Sequence, residues 1–234
     1  MTAAPRRAAP RPRARPVAIL PAAVTIGAST GGPRALMTVL GGLPSDLRAY
    51  LFVVQHIHPN FTPMLARRLA EQCSLPVVEA RDGELARPGT VSLAPGGAHL
   101  SIERGRAGPI LRLVDAPPRH GVRPCADILF GAVASVFGPR AVAVVLTGMG
   151  SDGLEGCRAV RARGGLVLAE AAETCVVFGM PRALVEAGVA HRVVPVGAMA
   201  AAIVAAVGQI VVPGALRRRR IARRLGALSR SIPG

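Results

Sequence analysis

Apolar runs of strand length alternate with segments of helical spacing through the middle of the chain. The run within Val17–Ile26 contains a first strand, and Pro33–Leu40 reads as a helix with proline near its first turn. LFVVQ (Leu51–Gln55) has the unbroken apolar character of a buried strand. TPMLARRLAEQ then returns to helical spacing, with Thr62 expected as the N-cap, Pro63 at the first helical position, and Leu65 and Leu69 on one face. Between Thr90 and Val114 the turn signals PGG and GRAG separate short strands, which predicts an antiparallel insertion near 90–114. ADILFGAVASVF is helical in spacing, AVAVVLT (Ala141–Thr147) is an apolar strand ending in GMGSDG, and a helix is expected next. GLVLAE reads as a strand and MPRALVEAG as a helix stopped by Gly188. No internal repeat occurs. This alternation predicts an α/β fold: a doubly wound, mainly parallel sheet flanked by helices.

Composition changes the picture at the ends. The chain has 234 residues, half of them hydrophobic, enough for one domain with a substantial core. Its formal charge of +16 is concentrated in two tails. Residues 1–16 carry five arginines and no acids, residues 214–234 carry seven and no acids, and the middle keeps 17 arginines against all 13 acids. The expected organisation is therefore a disordered Arg/Pro/Ala-rich tail over 1–16, a folded domain over 17–213 and a basic tail over 214–234. The second tail reads as solvated, or as a short basic helix for an acidic partner, nucleic acid or anionic lipid. One tyrosine and no tryptophan leave few platforms for stacking bases, so nucleic-acid contact has weak support.

Two stretches imitate membrane signals. VAILPAAVTIGA follows basic residues as in a signal peptide, but cleavage after its alanine would divide a strand from the turn it leads into. Residues 196–216 have the length of a span, yet they are mostly alanine and glycine with Gln209 and Pro213 inside, and read better as a helix packed on the core. Cys73, Cys125, Cys157 and Cys175 are widely spaced with no C-x-x-C, which fits buried thiols in a reducing, cytoplasmic compartment.

Chemistry enters at GASTGGP. Gly27, Ser29 and Gly31 satisfy G-x-S-x-G, the pattern that lifts a nucleophilic serine on a tight turn, while G-x-G-x-x-G fails because Ser29 occupies the second glycine position. The chain has no lysine, which excludes a P-loop and Schiff-base chemistry. In parallel sheets functional residues gather beyond the carboxyl ends of strands. His56 directly follows LFVVQ, and Asp152 lies just after AVAVVLT, so Ser29, His56 and Asp152 are expected at one sheet edge. A serine hydroxyl needs imidazole to take its proton, and a carboxylate fixes the imidazole tautomer. The chain order Ser–His–Asp departs from the Ser–Asp–His order of α/β-hydrolases. His58 makes H-x-H with His56, but no further set has metal-ligand spacing, and neither metal nor cofactor is expected. His99 sits at a turn from which it could reach a pocket or merely face solvent. His120 and His191 have no supporting context. Asp127 reads as a helix-start acid, and Asp152 could likewise cap the helix after it.

GASTGGP, VVQHIHPNFTPMLARRL, SLAPGGAHL, RPCADILF, LTGMGSDG and VVFGMPRALVEAG together resemble, in this order, the catalytic domain of the CheB-type chemotaxis protein-glutamate methylesterases, over roughly Val24–Val194. The resemblance implies hydrolysis of glutamate γ-methyl esters on chemoreceptor cytoplasmic helices with release of methanol, and deamidation of certain receptor glutamines. It also implies Ser29, His56 and Asp152 as the catalytic set, and Thr30, His99 and Met149 as oxyanion and substrate-pocket positions. The family usually carries a receiver domain and linker before this domain, so this chain is expected to be either constitutively open or controlled by a separate regulator. AEAAET stands where the family often has AQD-x-x-T, RPC where it has RPS, and His58 where proline is common. The competing reading is a non-catalytic module that docks on receptors, lipid or nucleic acid through its arginine tails.

Overall fold

The computed structural model describes residues 20–211; both expected tails lie outside them. Seven parallel strands form the central sheet: β1 (Ala23–Ala28), β2 (Tyr50–Gln55), β3 (Val77–Glu79), β4 (Val91–Leu93), β7 (Ala141–Val145), β8 (Leu166–Glu170) and β9 (Arg192–Val194). Their spatial order is β3-β4-β2-β1-β7-β8-β9. Strands β5 (His99–Arg104) and β6 (Pro109–Val114) make a separate antiparallel hairpin. The helices are α1 (Gly32–Gly41), α2 (Thr62–Gln72), α3 (Ala126–Phe137), α4 (Leu154–Ala162), α5 (Met180–Glu186) and α6 (Val196–Val211).

The central strands are buried along their whole length, because alternate residues feed two cores. Val24, Ile26 and Ala28 of β1 join Leu36 and Leu40 of α1, Leu65 and Leu69 of α2, and Met199 and Ile203 of α6 on one face. Ala23 of β1, with Phe52 of β2 and Val145 of β7, joins Leu129, Phe130 and Val133 of α3, Cys157 of α4 and Leu184 of α5 on the other, where the hairpin adds Leu100 and Leu111. Each fully buried large side chain contributes on the order of 1.5–3 kcal/mol. The doubly wound arrangement is the one expected. Strand order reverses at β1, which pairs with β2 on one side and β7 on the other. In such sheets the crevice beyond the reversal receives ligands. Ser29 is the first residue after β1.

Three local expectations change. The antiparallel unit covers only β5 and β6, because Val91–Leu93 pairs in parallel with β2 and β3. Thr62 is the first residue of α2 rather than its N-cap: a 3-10 turn, Pro59–Phe61, runs straight into the helix, and the Thr62 hydroxyl instead accepts the Gly96 N–H at 2.9 Å. Asp152 does not cap the helix after it; the N-cap of α4 is Gly153, which has φ +95° and supplies no side-chain cap. The alanine-rich segment forms α6, which buries Met199, Ile203 and Val207 against the sheet. Among the described residues no helix is long and apolar enough to cross a membrane.

Candidate active site

Register brings the first pair together. Ala28 aligns with Gln55 across β1 and β2, and the His56 N–H continues the ladder to Ala28 O at 3.0 Å. Ser29 and His56 are therefore the first residues past adjacent strand ends. On the other side the Ser29 N–H donates to Thr147 O at 3.0 Å, extending the pairing with β7. The turn after Ser29 uses Gly31 at φ +82°, where a Cβ would also collide with Val176. Gly148 is as restricted: a Cβ there would lie 2.8 Å from Ser29 Cβ and run into Met180 Sδ. The segment Val177–Met180 straps this turn down, through Gly148 N–H to Val177 O at 3.0 Å and Met180 N–H to Gly148 O at 2.8 Å.

His56 Nε2 donates to Asp152 Oδ2 at 2.7 Å. That bond fixes the tautomer and leaves Nδ1 as the free lone pair of the ring. Asp152 is buried, and α3 points its N-terminus at it: Ala126 N–H reaches Oδ2 at 2.6 Å and Asp127 N–H reaches Oδ1 at 3.0 Å, beside the Cys125 thiol at 3.0 Å. Burial works against the charge on Asp152, but hydrogen bonds from His56, Cys125, Ala126 and Asp127 outweigh it and hold its pKa down at about 2, against an ordinary 3.8. Cys125 responds in the opposite sense: burial, then the bond to Asp152, pushes its pKa up to about 12.

The hydroxyl of Ser29 makes no hydrogen bond among the described residues, to His56 or otherwise, so the structure joins His56 to Asp152 and sets Ser29 alongside. The N–H groups of Thr30 and Met149 likewise have no protein acceptor among them. Both residues are exposed, Met149 to 76%. Met149 borders a cleft of about 530 Å³ shared with Ser151, Phe178 and Arg182. A larger cavity of about 750 Å³ lies between β3 and the hairpin, and none of Ser29, His56 and Asp152 lines it. His99 is fully buried rather than facing solvent: it opens β5, and its Nε2 donates at 3.1 Å to Pro117 O in the loop after β6.

Three contacts had no clear signal in the sequence. Gln55 Nε2 donates both to Ser29 O at 2.9 Å and to His56 O at 3.0 Å, tying the two strand ends together. Asp127 stands in the first turn of α3, as expected of a helix-start acid, but it is buried and links α3 to α4 by accepting the Gly156 N–H at 2.7 Å. His120 pairs with Asp127 at 2.9 Å. His120, Asp127 and Asp152 are the group among the described residues with ligand atoms close enough for a metal ion. Their carboxylate oxygens each already accept a hydrogen bond, which is the pattern of a polar network rather than a metal centre.

The fold and these residues define a doubly wound α/β domain with a serine at the reversal point of its sheet and a histidine–carboxylate pair beside it. The sequence model described as CheB methylesterase matches residues 24–203, and the chain belongs to that family. It is 48% identical over 189 residues to a protein from Geobacillus kaustophilus (strain HTA426) named protein-glutamate methylesterase/protein-glutamine glutaminase, covering 80% of this chain and 54% of that protein. A protein of the same name from Symbiobacterium thermophilum (strain DSM 24528 / JCM 14929 / IAM 14863 / T) is 49% identical over 187 residues, covering 80% and 51%. The chain thus spans about half the length of the curated relatives it matches. The crystal structure of the Thermotoga maritima CheB methylesterase catalytic domain superposes with a TM-score of 0.77 at 41% identity, over 79% of this chain and 97% of that one.

Proposed function

We propose that this chain is a cytoplasmic serine esterase that hydrolyses γ-methyl esters of glutamate on chemoreceptor helices. The observation that carries the reading is the 2.7 Å bond from His56 to Asp152, which leaves a basic ring nitrogen on the strand end next to Ser29. Ser29 Oγ attacks the ester carbonyl carbon while His56 Nδ1 takes its proton. Collapse of the tetrahedral intermediate breaks the bond to the methoxy oxygen, which leaves as methanol with the proton from His56. Water then attacks the acyl-enzyme and gives a proton to His56; Ser29 recovers that proton as the glutamate side chain departs as its acid, which ionises by losing the remaining proton to solvent. Asp152, with its pKa at about 2, stays ionised throughout and stabilises each imidazolium.

The free N–H groups of Thr30 and Met149 are the donors for the oxyanion, and losing one such donor costs ~10²–10³ in rate. The same steps on a γ-amide release ammonia, matching the second activity in the relatives' names. Methanol release from a methylated chemoreceptor fragment tests the reading, comparing wild type with Ser29→Ala. Release by wild type alone supports it. Equal release by both removes Ser29 from the mechanism, and silence from both removes the receptor ester as substrate.

A further inference from the structure

The turn that carries Ser29 is anchored, one residue away, to a carboxyl group inside the sheet. Glu170, the last residue of β8, is fully buried in a strand otherwise made of Leu166, Val167, Leu168 and Ala169. Its Oε2 accepts the Thr147 N–H at 2.8 Å, and its Oε1 accepts the Thr174 hydroxyl at 3.0 Å. Thr147 in turn holds both ends of the Ser29–Thr30 dipeptide. Its carbonyl accepts the Ser29 N–H at 3.0 Å, and its hydroxyl donates to Thr30 O at 2.9 Å while accepting the Val177 N–H at 2.9 Å. Thr174 passes the restraint outward, accepting the Val196 N–H at the start of α6 at 3.1 Å.

Burying a carboxyl group is costly unless its hydrogen bonds are made, and packing of the sheet alone does not call for one here. What Glu170 grips is the Thr147 N–H, and Thr147 in turn holds the backbone of the Ser29 turn, which also presents the Thr30 N–H. Glu170, with Gly31, Arg34 and Thr147, lines a cavity of about 310 Å³ beside the turn. We infer that Glu170 is a positioning residue for the nucleophile, acting through Thr147 to fix where the Ser29 hydroxyl and the Thr30 N–H point. The inference rests on the reading of Ser29 as nucleophile.

The test is the rate at which a fluorophosphonate probe labels the chain, measured with kcat and KM for ester hydrolysis and a thermal melt. Glu170→Leu removes both acceptors. It is expected to slow labelling and kcat by at least ~10-fold with KM within ~2-fold, since small misplacements of a reacting group cost that much and more. Glu170→Gln can still accept from Thr147 and donate to Thr174, and is expected to recover the rate to within ~3-fold of wild type. A merely structural role would move the melt of Glu170→Leu and leave the labelling rate of its folded fraction unchanged, which overturns the inference. Should Glu170→Leu fail to fold, Thr147→Val decides, because it removes the hydroxyl that holds Thr30 and Val177 and leaves the backbone bond to Glu170 in place. Slower labelling at unchanged KM supports the inference, and labelling at the wild-type rate overturns it. Labelling that persists in Ser29→Ala is a different outcome, and overturns the nucleophile assignment itself.

Discussion

Replacing Asp152 by asparagine should lower stability by an amount that depends on pH in a defined way. The carboxylate accepts four donors in the native state, and its pKa lies at about 2 rather than 3.8. A group whose pKa falls on folding adds stability that is fully present above its unfolded pKa and is lost as pH drops through the folded one. From these two values the contribution is about 2 kcal/mol at pH 5, about 1 kcal/mol at pH 3 and well under that at pH 2. Urea denaturation of wild type and Asp152→Asn at each pH isolates it, because the other carboxylates titrate alike in both proteins. The gap between the two proteins should narrow by about 2 kcal/mol from pH 5 to pH 2. A gap that stays constant across that range would mean that Asp152 is not held as a charged acceptor, and the account of the site would fail with it.

Gly148→Ala should cost about 1–3 kcal/mol, read from the thermal melt, because its Cβ meets Ser29 Cβ and Met180. It should also reduce kcat far more than KM, and an unchanged kcat would refute the close approach. Cys125, with its pKa pushed up to about 12 by burial and then by Asp152, should resist iodoacetamide at pH 8 until denaturant is added. Peptide mass spectrometry before and after unfolding reads this directly.

The parallel sheet was legible wherever a strand is buried on both faces. β7 is an uninterrupted apolar run, β2 is apolar up to its final Gln55 and β1 is broken only by Thr25, and the residues just past them were expected at one edge for that reason. Val77–Glu79 and Arg192–Val194 left no such trace, since they are three-residue edge strands with partly or fully exposed positions whose pairing is decided by neighbours. Val91–Leu93 misled because the glycine turn after it suits a hairpin, and local turn chemistry does not report the direction of pairing. The candidate site divides in the same way. Ser29, His56 and Asp152 announce themselves through glycine spacing and strand ends. Gln55 and Glu170 act across 26 and 23 residues on backbone atoms, which carry no residue-type signature.

Asp152 has two employments that no single substitution can separate. Its oxygens close the N-terminus of α3, a helix from a different stretch of chain, while one of them also steers His56. A screen for thermal tolerance alone would therefore retain the aspartate even if no ester were ever offered. The serine is the opposite case. Its hydroxyl holds nothing together among the described residues, so a lineage released from chemistry would be free to lose it at no cost to folding. Between two sequences sharing this fold, the aspartate speaks of architecture and the serine of use.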